Sequence, residues 1–90
     1  MSQKAWGLEI AGPAARDVER LPAKYAAAIL TLLPAIAEHP HRLGKPLRRE
    51  LDGVWSARRG PYRVLYEIDE QRHVVTGVAV AHRSDAYRPR

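Results

Sequence analysis

Apolar residues recur along this chain with two different periods, and the change between them falls near its middle. Trp6, Leu8 and Ile10 alternate with Ala5, Gly7 and Glu9, a period of two that predicts a short first strand. Gly12-Pro13 interrupts it. Proline suits the first turn of a helix, where its missing N–H is not needed. Ala14, Val18 and Leu21 follow at helical spacing, with Asp17 and Glu19 keeping the other side wet. Pro22 opens a second helix, whose buried stripe is Tyr25, Ile29, Leu32, Leu33 and Ile36. Pro34 lies inside that pattern. An interior proline costs roughly 3 kcal/mol, so this helix is expected to kink there or stop nearby. His39 through Pro46 reads as a loop, and the stretch from Leu47 to Leu51 is ambiguous. From Val54 the period is two. Val54–Arg58 is a strand, Arg59-Gly60-Pro61 a turn, and Tyr62–Ile68 the return strand. Asp69–Arg72 is a second polar turn, and residues 73–81 form a last strand.

The resulting order is β-α-α-β-β-β. Three hairpin-linked strands form a meander, and the first strand must join it or leave its ladder unpaired. The expected fold class is α+β, an antiparallel four-stranded sheet with a helical hairpin packed on one face. In the third strand Tyr62, Val64, Tyr66 and Ile68 share the apolar face, while Arg63, Leu65 and Glu67 share the other. Arg63 therefore faces away from the helices. The last strand runs antiparallel to the third, so its C-terminal end lies beside the start of the third. That order brings His82 and Arg83 near Arg63.

Composition narrows the functional classes. Residues 1–90 suit one domain with a modest core, and an apolar fraction of 46% favours a globular fold over disorder. There is no cysteine, which excludes disulfides, thiolate zinc sites and thiol catalysis. No N-terminal stretch has the apolar centre of a signal peptide, and no apolar run approaches membrane length. The expected location is cytoplasmic. The net charge is +5, and its distribution is uneven. The four bases and four acids of residues 1–40 balance, whereas residues 41–90 hold eleven bases against six acids. Arg42, Lys45, Arg48, Arg49, Arg58, Arg59 and Arg63 stand against only Glu50 and Asp52. Such a surface suits an anionic partner, the plainer alternative being a solubilising arginine-rich exterior.

Arginines beside a histidine and a tyrosine suit cleavage of RNA, which carries its own nucleophile in the 2′-hydroxyl. The protein must hold that oxygen in line with the leaving 5′-oxygen and stabilise charge on the phosphoryl oxygens. Fixed arginines do the second well. No metal or cofactor is required. An arginine titrates above about 12 and cannot act as a base. A free tyrosine, near 10, is about one part in a thousand ionised at pH 7, so stacking on a nucleobase is the easier role for Tyr87. A histidine, near 6.5, is about three-quarters neutral and is the best-matched proton carrier, which selects His82. Each residue has a plainer reading. His82 caps a strand end, Arg63 pairs with Glu67 or Asp85 on the surface, and Tyr87 packs over a sheet edge. Trp55 reads as core. His39 and His41 resemble a metal pair only superficially, with no third ligand in sight.

The stretch GKPLRRELDGVWSARRGPYRVLYEID, followed after the last strand by HRSDAY, closely resembles the RelE/ParE toxin superfamily. The resemblance covers nearly the whole chain and implies one RelE-like domain, the toxin of a bacterial type II toxin–antitoxin pair. On the RelE branch it implies cleavage of mRNA in the ribosomal A site. It also implies a cognate antitoxin that wraps the toxin, and operator DNA bound only through that complex. By position, Arg63 matches the arginine that contacts the scissile phosphate and Arg83 the second phosphate-stabilising arginine. Tyr87 matches the C-terminal tyrosine that stacks on or orients the nucleotide. His82 falls where relatives place lysine or histidine. Val54 and Ser56 stand where some RelE toxins carry lysines, and Arg58, Arg49 or Lys45 are the cations at hand to replace that charge. The implied contact surface for RNA and ribosome is Lys45, Arg48, Arg49, Ser56, Arg58 and Arg59. Two other readings share the fold or the charge: a ParE-like inhibitor of DNA gyrase, and a basic nucleic-acid-binding module without catalysis.

Overall fold

The computed structural model describes residues 6–47, 53–82 and 84. In chain order the elements are β1 (Gly7–Ile10), α1 (Gly12–Glu19), α2 (Ala23–Glu38), the single turn α3 (Pro40–Leu43) and β2 (Lys45–Pro46). They continue as β3 (Val54–Arg59), β4 (Tyr62–Asp69) and β5 (Val74–His82). One sheet forms in the order β1-β5-β4-β3-β2, with β3, β4 and β5 as the antiparallel meander.

The α+β fold is the one the periodicity predicts, with two local corrections. The sheet is mixed, because β1 pairs with β5 in parallel, Leu8 opposite Val75 and Ile10 opposite Gly77. A two-residue hairpin dictates antiparallel pairing, but β1 reaches β5 only after both helices, so nothing local sets its direction. The stretch read as a loop holds two elements, α3 and β2. Two residues are too few to display a period, and Pro46 is tolerated in β2 because that strand is an edge. Its ladder extends to Leu47, whose N–H donates to the Val54 carbonyl at 2.8 Å. Helix α2 passes through Pro34 and ends four residues later at Glu38, near the proline as expected. Pro34 is exposed, as is Leu30 one turn earlier. The Leu30 carbonyl that loses its intrahelical donor is therefore on the solvent side, where it is open to hydration.

The core lies between α2 and the sheet. Ile29, Leu32, Leu33 and Ile36 repeat at helical spacing and are buried against Ala57, Val64, Tyr66, Val75 and Val80. Trp6, Val18, Leu21, Trp55, Tyr62 and Ile68 close its margins. Helix α1 shields the edge of β5 beyond the end of β1. The Ala11 N–H donates to the Gly77 carbonyl at 2.9 Å, and the Asp17 carboxylate accepts the Val80 N–H at 2.9 Å. A charged acceptor there satisfies a strand-edge donor that would otherwise lack a partner strand.

The β3–β4 hairpin turns on Gly60-Pro61, with Gly60 at φ 60°, a conformation that favours glycine. Glu70 to His73 connect β4 to β5, with the Arg72 N–H donating to the Asp69 carboxylate at 3.1 Å. β5 carries one extra residue, Val78, where the register slips between Leu65 and Tyr66. Such a bulge sharpens the local twist of the sheet.

Candidate functional site

Pairing in the meander decides which cations meet. Arg58 stands directly opposite Arg63, and Ser56 opposite Leu65. β2 adds Lys45 opposite Ser56. The pleat turns these positions away from the helices, because Ala57 and Val64, their neighbours in sequence, are buried under α2. The result is a groove of about 380 Å³ on the open face, lined by Leu43, Gly44, Lys45, Leu47, Ser56, Arg58 and Arg63. Among the described residues lining it, none is acidic. Arg63 is half-buried with its Nε shielded from solvent, whereas Lys45 and Arg58 are exposed. Like charges directly opposite in a sheet repel, at a cost of roughly 0.2–1 kcal/mol. Holding three cations around one groove is therefore a cost to the fold and an asset for binding an anion.

The wall of the groove is fixed from behind. The Tyr66 hydroxyl passes through the core and donates to the Pro40 carbonyl at 2.6 Å. Burial raises the Tyr66 pKa from 10.0 to about 12. Gly44 packs against that hydroxyl so closely that a Cβ would collide with it and come within 2.8 Å of the Ser56 carbonyl. His41 on α3 bonds Glu70 through Nε2 at 2.8 Å, between the edges of Trp6 and Trp55. The His39/His41 pair is thus divided, His41 belonging to a structural contact. Among the described residues no group of three His, Cys, Asp or Glu side chains is arranged to hold a metal ion.

The predicted residues separate into three sets. Lys45, Ser56, Arg58 and Arg63 come together in the groove. Arg59 and His82 do not. Each stands opposite Tyr62, in β3 and β5 respectively, on the helix-side face. His82 packs edge-on against the Tyr62 ring at 5.5 Å, and Tyr62 in turn meets Tyr25 of α2 at 5.1 Å. Arg63 is opposite Ala81, so His82 comes near it in register but across the sheet in space. His82 is engaged locally: Ser84 donates its N–H to His82 Nδ1 at 3.3 Å, and the Ser84 hydroxyl lies 3.0 Å from the same nitrogen. Accepting that N–H leaves the proton of the neutral ring on Nε2. Arg48, Arg49, Arg83 and Tyr87 lie outside the described residues. Leu43, Gly44 and Leu47 line the groove without having been anticipated. Only the glycine between Leu43 and Lys45 hinted at a close approach there.

Three cations and no acid among the described lining residues give the groove a chemistry that suits an anionic ligand. The family model for the ParE toxin of type II toxin–antitoxin systems matches residues 8–87. The chain is 51% identical to Toxin RelE of Mycobacterium tuberculosis over 80 residues, covering 88% of this chain and 82% of that protein. It is 47% identical over 76 residues to Toxin RelG of the same organism, covering 83% and 87%. The toxin in the crystal structure of the RelBE2 toxin–antitoxin complex of M. tuberculosis superposes with a TM-score of 0.85 at 40% identity, over 93% of this chain and 98% of that one. The isolated E. coli RelE toxin shares the fold at a TM-score of 0.73 and 18% identity, over 94% of this chain and 88% of that one. The chain belongs to the RelE/ParE superfamily and is the RelE-type toxin of a toxin–antitoxin system.

Proposed function

We propose that this toxin is a ribosome-dependent endoribonuclease that cuts mRNA in the A site and so stops translation. The observation that carries the reading is the Arg58–Arg63 pair facing the groove beside Lys45. In the proposed reaction the 2′-oxygen attacks the adjacent phosphorus as the bond to the 5′-oxygen breaks. One proton leaves the 2′-hydroxyl and one is taken up by the 5′-oxygen. The products are a 2′,3′-cyclic phosphate and a 5′-hydroxyl. Arg63, half-buried with its Nε shielded, holds the scissile phosphate and the charge that grows on it. Arg83 supplies the second guanidinium and Tyr87 stacks on or orients the nucleotide, as the superfamily resemblance implies. Lys45 and Arg58, with Arg48 and Arg49, grip the flanking backbone, and Ser56 hydrogen-bonds beside them. Arg59 meets RNA or ribosome along the other face of the hairpin.

Among its described lining residues the groove holds no histidine and no carboxylate, so its main contribution is orientation and electrostatic stabilisation. His82, on the opposite face, is engaged with Ser84 through Nδ1. A cognate antitoxin with an acidic or amphipathic segment would occlude the groove, and operator DNA would be bound through that complex.

The ParE name of the matching family favours a second reading, inhibition of DNA gyrase without RNA cleavage. A supercoiling assay with purified gyrase separates the two. The nuclease reading expects supercoiling to continue at toxin concentrations that arrest growth, and inhibition at those concentrations would favour the second reading.

A further inference from the structure

We infer that Tyr66 is a positioning residue for the groove, setting the place of Lys45 through a latch between β4 and the α3–β2 segment. The inference rests on the groove being the RNA site. Tyr66 has no solvent exposure and does not line the groove. Its ring lies in the core beside Trp55, and its hydroxyl reaches out of that core to the Pro40 carbonyl at 2.6 Å. A buried hydroxyl commits its bond to one acceptor, because water is not there to replace it.

Pro40 begins α3, and four residues later Gly44 is pressed between the same hydroxyl and the Ser56 carbonyl. The next residue is Lys45, paired with Ser56, and then Leu47 closes onto Val54 at 2.8 Å. One hydroxyl thus fixes both ends of the turn that delivers Lys45 to the groove. The absence of a side chain at Gly44 lets that turn lie flat against β3. β2 has only two residues, so its ladder alone is a weak anchor for a cation that must meet a phosphate. His41 and Glu70 hold the outer side of α3, but their contact is exposed and worth little by comparison.

The test compares Tyr66→Phe, which keeps the ring and deletes the latch, with Lys45→Ala and the double variant. Two readouts are taken on folded protein. The first is amide hydrogen exchange at Leu47, with Val64 as the core reference. The second is the affinity of a short single-stranded RNA across a series of salt concentrations. Tyr66→Phe is expected to speed exchange at Leu47 by about tenfold or more relative to Val64, as expected for a local opening. It should also lower the salt slope by about 0.7, the loss of one phosphate contact. The double variant should bind RNA no more weakly than Lys45→Ala alone. Gly44→Ala, which leaves Tyr66 in place, should reproduce the same slope change. Should Tyr66→Phe prove too unstable, Gly44→Ala carries both readouts.

Unchanged Leu47 exchange relative to Val64, or losses that add independently to those of Lys45→Ala, would overturn the positioning role and leave Tyr66 a core residue. Wild-type protein that bound RNA without salt dependence would instead refute the groove as the RNA site. The exchange data would still decide for or against the latch.

Discussion

Arg58 and Arg63 stand face to face across the β3–β4 pair, two cations in register on the open face of the sheet. A fold optimised for stability alone would place opposite charges there. Replacing the exposed partner separates the two demands. Arg58→Ala should leave the melting temperature unchanged or raise it, by about 0.2–1 kcal/mol of relieved repulsion. It should weaken RNA binding and lower the salt slope by about 0.7. Arg63→Ala should act on the chemical step, lowering the cleavage rate by about 10²–10³-fold, the scale for removing one charge-stabilising donor. Thermal melts and single-turnover rates check the pair.

His82 supplies a sharper division. Its ring is on the Tyr62 side of the sheet, with Nδ1 accepting from Ser84. His82→Asn keeps an acceptor close to that nitrogen and removes the imidazole. Cleavage by this variant should stay within about tenfold of wild type, with the shape of the pH–rate profile retained. Loss of one limb of that profile, with a rate as low as that of Arg63→Ala, would instead make His82 the proton carrier.

Burial of the Tyr66 phenol gives an alkaline signature. Its pKa is raised by burial to about 12 in the folded state, against 10.0 unfolded. The unfolded chain therefore releases this proton first as pH rises. The contribution to stability is complete below pH 10 and is lost between pH 10 and 12, a change on the order of 2–3 kcal/mol. Denaturant midpoints measured over that range should fall more steeply for wild type than for Tyr66→Phe.

Pro34 offers a test of helix energetics away from the groove. It sits exposed within α2, whose buried side already packs on the sheet. Pro34→Ala restores an N–H toward the Leu30 carbonyl and should stabilise the fold by about 1–3 kcal/mol. Cleavage should not change. Chemical denaturation and the ribosome assay check both halves of that expectation.

The contrast between Pro34 and Lys45 shows what was legible in the sequence. The stripe of Ile29, Leu32, Leu33 and Ile36 is strong enough to carry a helix through a proline, so local propensity lost to tertiary burial. Alternation through Val54–Arg59 and Tyr62–Asp69 placed Arg63 on the open face correctly, since a period of two leaves one choice of face. The same rule sends His82 to the other face once Arg63 is paired with Ala81. Proximity along strand ends had suggested otherwise, because the register of β4 with β5 is not encoded in either strand alone. α3 and β2 were illegible because four and two residues are too short to show a period. Their positions depend on Tyr66, Gly44 and His41 contacts made across the chain.

On the proposed function, the cationic groove cleaves mRNA on the ribosome. The most direct test adds purified toxin, free of antitoxin, to ribosomes holding a defined mRNA with an empty A site. New 5′ ends are mapped by primer extension, beside Arg63→Ala protein shown to be folded. Wild type should make a single cut within the A-site codon, leaving a 5′-hydroxyl, and Arg63→Ala should cut at least about a hundredfold more slowly. Equal cutting by both proteins, or no cut by folded wild-type toxin, would contradict that function.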